Sequence, residues 1–249
     1  MSEPRSTSTP PAVLPPAAAP AAAAGAPAPG WDGSVRVQPT ALIERDVTIG
    51  PRSSVWDHVH IRHGASLGHD TQVGEKCVIA YDVRIGNFVK LNACVYVCAE
   101  VTIEDGVMIS AGTIFTNDMF PRAMNRELTG LETSAVTEET LATRVERGST
   151  LGAGVIVGPG LTLGRYCMVG MGAVVTRHIP PHGLVIGNPA RLIGYVCACG
   201  PRVVSLADFD TAAEGAHWGC HRCERRYGKS GDLFMPVSDP YAGSARLAP

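Results

Sequence analysis

From Ile43 onward an aliphatic side chain falls on every sixth residue: Ile43, Ile49, Val55, Ile61, Leu67, Val73, Ile79, Ile85, Leu91, Val97, Ile103 and Ile109. Four residues after each comes a small or β-branched side chain, running from Val47 and Ser53 to Val107 and Thr113. The beat breaks after Ile114 and returns at Val145, Leu151, Val157, Leu163, Val169 and Val175. A period of six fits neither the 3.6-residue helix nor alternating strands joined by hairpins. It predicts a coil of short strands with tight turns, each strand sending one large residue to the axis and small residues to the corners. Gly often follows the aliphatic residue, as at Gly50, Gly68, Gly74 and Gly86. These glycines are expected at the strained turn positions. Stretches 43–114 and 145–180 then build a parallel β-helix. Cys77 and Cys167 fall on the small inward position, and Cys94 and Cys98 lie in the same stretch; all four are expected to serve as compact packing groups.

What departs from the beat is as informative. Residues 1–30 are dominated by Pro and Ala, which reads as a disordered, partly polyproline II extension. Pro interrupts every candidate signal-peptide core there, so cytoplasmic localisation with reduced thiols is the expectation. No run of 18 apolar residues occurs, so no membrane span is expected. A formal net charge of -2 leaves no basic footprint for nucleic acid. From Cys197 the composition changes: Cys197, Cys199, Cys220 and Cys223 form a four-thiolate set near zinc-ribbon spacing, in a stretch too short to bury its own core. Residues 197–249 are therefore read as a small tail around a structural zinc, with His217 and His221 as reserve ligands. The β-helix domain is expected over 31–196, with a protruding loop at 116–144.

Three stretches narrow the kinship: "VWDHVHIRHGASLG" (55–68), "IFTNDMFPRA" (114–123) and "VGMGAVVTRHIPPHGLVIGNPARLIGYV" (169–196). Over roughly residues 35–196 the chain resembles the hexapeptide-repeat acetyltransferases, and among them the N-acetyltransferases of nucleotide-linked 3-amino sugars. The resemblance implies a left-handed coil of three hexads per turn, hence about four coils before the break and two after it, roughly 30 Å in all at the strand spacing. It implies a homotrimer with sites between neighbouring columns, acetyl-CoA as co-substrate and a nucleotide-sugar acceptor.

The same resemblance assigns roles. Asn117 and Asp118 present the acceptor amine, and Asp118 is placed to take its proton. His60, Lys90, Asn92 and Arg122 face the acceptor. Gly170, Gly172 and Ala173 leave room for the pantetheine arm, while Arg177, Asn188, Pro189 and Arg191 hold the coenzyme. The related enzymes carry a Gln/Asn-rich patch in the fourth coil; here "KLNACVYV" retains only Asn92. Chemistry agrees with a modest site, since an amine is nucleophilic when neutral and needs orientation, an oxyanion donor and a proton acceptor. Asn-Asp also favours any turn, and GNP is ordinary turn chemistry. Two alternatives stay open: an O-acetyltransferase with His178 or His182 as base, and a non-catalytic binding scaffold. A carbonic-anhydrase-like zinc site fails because no His occurs between His69 and His178, while catalytic zinc needs three well-separated protein ligands.

Overall fold

The computed structural model describes residues 31–238, so the expected extension at 1–30 and the last residues of the tail, 239–249, lie outside the described residues. Between Arg36 and Val175 the chain winds as a parallel β-helix with three faces, matching the left-handed coil that the resemblance implies. The first face runs from Arg36–Val37 through Lys90–Leu91 to Met168–Val169. The second stacks seven strands, from Leu42–Ile43 through His60–Ile61, Tyr96–Val97 and Ile114–Phe115 to Val174–Val175. The third stacks six, from Thr48–Ile49 to Thr162–Leu163. Faces of seven, seven and six strands make six and two-thirds coils rather than six, because a strand at Arg36–Val37 precedes the aliphatic count and another at Ile114–Phe115 extends it before the loop.

Partners in adjacent coils are 18 residues apart, as in Leu42↔His60 and Lys90↔Met108. Both constrained positions of the hexad point inward. Val55, Ile61, Val73, Ile79 and Leu91 are buried on one count; Val59, Ala65, Cys77, Val83 and Val89 are buried on the other. The column interior is one continuous apolar core. Each aliphatic residue buried there contributes about 1.5–3 kcal/mol.

The turn positions differ from expectation. Left-handed backbone recurs three residues after each aliphatic, at Asp46, Arg52, His58, Asp70, Lys76, Asp82 and Phe88, and in the later coils at Gly148, Gly154 and Gly172. The glycine directly after the aliphatic has another purpose. A Cβ on Gly50 would lie 2.5 Å from the His69 nitrogen, and one on Gly74 would lie 2.7 Å from the Asn92 carbonyl carbon. Coils touch backbone to backbone at that corner, leaving no volume for a side chain. Cys94 is also corrected: it sits on a left-handed turn (φ 59°) and is exposed, whereas Cys77, Cys98 and Cys167 are buried filling groups.

The interruption ends sooner than 144. Val101↔Thr143 pairing restores the third face, and Thr143 is buried, so the loop occupies 116–142 and the inter-coil step there is 42 residues. After the last coil, Gly183–Ile186 stacks on Met168–Val169 and then turns the sheet antiparallel through Arg191–Val196 and Arg202–Ser205. The tail therefore grows out of the first face without a break at 197. It continues through a short helix, Leu206–Thr211, into a three-stranded antiparallel sheet of His217–Gly219, Arg226–Ser230 and Leu233–Ser238.

Candidate active site

The inter-coil step of 18 carries a ladder along the corner between the second and third faces: Arg45, His63, Tyr81, Ala99, Asn117. Asn117 occupies the top rung before the loop, where its Nδ2 donates to the Ala99 carbonyl at 3.2 Å. Its own carbonyl accepts the Leu141 N–H at 2.9 Å, so the loop's two ends close on this residue. Asp118 follows as the first exposed residue of the loop. Its charge reaches inward: burial first, and then the Asp118 carboxylate, push the Cys98 thiol up to about 12. The Tyr96 hydroxyl is raised by burial foremost, with the Asp118 charge a lesser contribution. Cys98 is accordingly a neutral filler beside the candidate site and no nucleophile. Arg122 is exposed farther along the loop, its Nη1 donating to the carbonyl of Pro121.

Lower on the same corner lies a cluster of charged and aromatic groups. Glu44 accepts from the His63 backbone N–H at 2.9 Å and contacts His60 Nε2 at 2.8 Å and His63 Nδ1 at 3.2 Å. Burial raises the Glu44 carboxyl, but these hydrogen bonds and the Arg62 charge outweigh it and hold the group at about 2. Arg62 Nε lies 2.7 Å from Glu44 Oε1, yet its N–H is not aimed at that oxygen, so the contact is an ion pair rather than a hydrogen bond. The guanidinium rests on the Tyr81 ring, 4.4 Å from its centroid. His60 is thus fixed in orientation. Glu44, Arg62 and Tyr81 were missed from sequence, although 44 and 62, and 63 and 81, are one coil step apart.

Lys90 and Asn92 belong to the first face, with Lys90 paired to Gln72 and Met108, and so stand apart from the Asn117 corner of the same chain. Of the three residues expected beside a pantetheine arm, only Gly172 opens onto free space. Ala173 is wholly buried and points into the core, and the space beside Gly170 is filled by Ile186, whose Cγ2 would lie 2.7 Å from an added Cβ. The Gly187–Ala190 turn, which contains a cis Asn188–Pro189 bond, stacks on the second face: Val174 N–H donates to the Gly187 carbonyl at 3.0 Å, and Ala190 N–H to the Val174 carbonyl at 2.8 Å. Arg177 and Arg191 are both exposed at this end.

The histidines of the O-transfer alternative are placed differently. His178 Nδ1 accepts the Thr162 N–H at 2.9 Å. His182 is 3% exposed, stacks on Tyr166, contacts the Val196 carbonyl through Nδ1 at 3.0 Å, and is lowered to about 4 by burial. The four tail cysteines do converge: their sulfurs all lie within 4.8 Å of one another. Two concavities, of about 580 Å³ beside His182 and Tyr227 and about 330 Å³ beside Arg84 and Arg147, are lined by neither Asn117 nor Asp118. Among the described residues, no helix is long and apolar enough to cross a membrane.

Residues 142–177 match the family model described as the hexapeptide repeat of succinyl-transferase. Over 57 residues the chain is 51% identical to a dTDP-3-amino-3,6-dideoxy-alpha-D-galactopyranose 3-N-acetyltransferase of Aneurinibacillus thermoaerophilus, covering 23% of this chain and 30% of that protein. It is 31% identical over 115 residues to a putative acetyltransferase of Schizosaccharomyces pombe, covering 45% and 53% of the two. The chain therefore spans between about a third and about half of these relatives. Among solved structures, it is similar to an N-acyltransferase from Bacillus cereus in complex with dTDP and coenzyme A, at 16% identity, TM-score 0.44, and 66% and 84% coverage.

Proposed function

We propose that this member of the hexapeptide-repeat acetyltransferases moves an acetyl group from acetyl-CoA to the amino group of a nucleotide-linked sugar, a 3-amino hexose. The observation that carries the reading is that Asn117 borders the face on which the Gly187–Ala190 turn stacks. Asn117 leaves the column beside Ile114–Phe115, and the turn is hydrogen-bonded to Val174, two coils farther along the same stack. Three steps of about 4.8 Å separate the levels, roughly 14 Å, which an extended pantetheine arm can bridge. The curated 3-N-acetyltransferase relative supports the choice of acceptor.

In the reaction the amine nitrogen attacks the thioester carbonyl, the tetrahedral intermediate collapses, and the C–S bond breaks to release CoA thiolate. Asn117 holds the amine in line. Asp118, exposed at the start of the loop, accepts the proton the nitrogen must lose. Gly172, Arg177, Asn188, Pro189 and Arg191 hold the donor, the two guanidiniums meeting its phosphates. His60 and Arg62, on the same corner three coils below, meet the nucleotide portion of the acceptor. Arg122 lies on the loop above it. Lys90 and Asn92 reach an acceptor only across a boundary between copies, so the reading includes the homotrimer. The second face supports this, presenting exposed apolar Leu42, Tyr96, Ile114 and Ile156 with His60 interrupting the stack, and Phe120 and Leu131 of the loop are 85% and 86% exposed. A metal in the cysteine cluster would take no part in transfer, because four thiolates leave no open position.

O-transfer is disfavoured because His182 is 3% exposed with Nδ1 against the Val196 carbonyl, and His178 Nδ1 is committed to the Thr162 N–H. The test is acetyl transfer to 3-amino dTDP- and UDP-hexoses by wild type, Asp118→Asn and Asn117→Ala. Removing the base should lower kcat by about 10²–10⁴-fold. Asn117→Ala should lower kcat/KM with assembly unchanged. Turnover within about twofold of wild type in both variants would overturn the site.

A further inference from the structure

We propose that Cys197, Cys199, Cys220 and Cys223 bind one zinc ion, and that this ion clamps the C-terminal cap shut and steadies the Gly187–Ala190 turn. The second half rests on the donor role given to that turn.

The sulfur geometry is that of a cation site. Cys197 and Cys223 sulfurs are 3.4 Å apart, and Cys199 stands 3.5 Å from both Cys197 and Cys220. A zinc tetrahedron with Zn–S of about 2.3 Å places sulfurs about 3.8 Å from one another. Disulfides require about 2.05 Å, so none of these contacts is a bond in waiting at its present length. Three of the four cysteines are buried. Each pair sits on a tight turn: Gly200 N–H donates to the Cys197 carbonyl at 2.8 Å, and Cys220 N–H to the Arg225 carbonyl at 2.9 Å. Donors also surround the sulfurs. The Tyr227 hydroxyl lies 3.1 Å from Cys197 Sγ, and Arg225 Nη1 lies 3.4 Å from Cys223 Sγ. Four thiolates around a divalent ion leave a net charge of about -2, which such donors offset. Because the set is closed, the ion is structural.

The clamp has something to hold. Residues 197–238 possess only a small aromatic core, built on Phe209, Tyr227 and Phe234 with Tyr195 from the preceding strand. Chains of about 40 residues rarely fold on such a core without a metal or disulfide. Yet this module covers the open end of the column, with Tyr227 and Phe234 edging against His182 at ring distances of 5.1 and 5.8 Å.

One strand links the cluster to the donor turn. Arg191–Val196 begins directly after Ala190, which bonds Val174, and ends directly before Cys197. It is flanked by Gly183–Ile186 on one edge and Arg202–Ser205 on the other. Releasing Cys197 frees the far end of this strand and the start of its second partner together. Fraying then runs toward the turn, while the first six coils keep their own stacked contacts.

The experiment uses the full chain. Elemental analysis should find about one zinc per chain, as a closed four-thiolate set takes one ion. Cys220→Ser should lose it, Cys223→His should retain it in part, and Cys94→Ser, on an exposed turn, should keep it whole. Hydrogen exchange should then quicken in 183–238 of Cys220→Ser and remain unchanged in 54–115. CoA affinity, measured by calorimetry, should fall several-fold in that variant. Absence of zinc and other thiophilic metals in wild type, or full metal in Cys220→Ser, overturns the site. Metal loss without faster exchange in 191–205 overturns the clamp. If wild type itself fails to bind CoA, the donor reading and the coupling to it fall, and zinc content and exchange still decide the site and the cap.

Discussion

Alanine at Gly152 should damage this protein more than alanine at Gly154, although only Gly154 has left-handed backbone (φ +67°). At Gly152 an added Cβ would lie 2.7 Å from Met171 N, 2.9 Å from the Val169 carbonyl oxygen and 3.0 Å from the Gly170 carbonyl carbon. All three are backbone atoms of the next coil, so no side chain can rotate aside. Relief requires the coils to part by about half an ångström at a corner where Gly152 N–H donates to the Val169 carbonyl at 2.8 Å. Overpacking of this kind costs about 1–3 kcal/mol, and a partner made wholly of backbone puts it near 3. At Gly154 nothing lies within 4 Å of the added carbon, and the cost is the left-handed strain alone, about 1–2 kcal/mol. At roughly 2–4 °C per kcal/mol for a chain of this size, Gly152→Ala should melt about 9 °C below wild type and Gly154→Ala about 4 °C below. Thermal unfolding followed by far-ultraviolet circular dichroism in one buffer decides it. An equal or larger drop for Gly154→Ala would refute the claim that coil contact, and not turn conformation, places the glycine after the aliphatic residue.

Three further outcomes are expected. His182 is held at about 4 in the folded chain against 6.5 ordinarily, so between those values the unfolded chain binds more protons; stability is full above pH 6.5 and falls by about 3 kcal/mol as pH drops to 4, a slope that His182→Phe should flatten in melting curves. Glu44, held at about 2 against 4.5, contributes stability that is present above pH 4.5 and lost as pH falls toward 2; Glu44→Gln should remove that part of the acid limb, and an unchanged acid limb would contradict the pairing with His60, His63 and Arg62. Light scattering should give three chains per particle, and Tyr96→Glu, which places a charge on the second face, should shift the population toward monomer; a wild-type monomer at micromolar concentration would remove any site shared between copies.

How much was legible followed from how local each cause is. A buried Val or Ile on every sixth residue is visible in the chain because each coil repeats the environment of the last, so the column, its core and the loop position could be read directly. The neighbours of His60 were also within reach of the 18-residue step, which sets Glu44 beside Arg62 and His63 beside Tyr81. Spacing did not reveal which glycines stack and which ones turn, since both recur at the same period; only the inter-coil distance at Gly50 and Gly152 separates them. Nor could the chain show that Ala173 faces inward, that Ile186 fills the space beside Gly170, or that Lys90 lies on another face than Asn117.

The sequence by itself determined the hexad and the inward positions, which depend on residues a coil or less apart, and showed the two close cysteine pairs of the tail. Tertiary structure alone decided the register across the loop, where Val101 meets Thr143 at a step of 42. It also brought Cys197 and Cys199 to Cys220 and Cys223, and set the Arg191–Val196 strand so that one end meets the Gly187–Ala190 turn and the other the cysteines. The physical reason is the same in each case: these contacts close long segments that carry no repeat, so their geometry is set by what the distant surface of the column can accept.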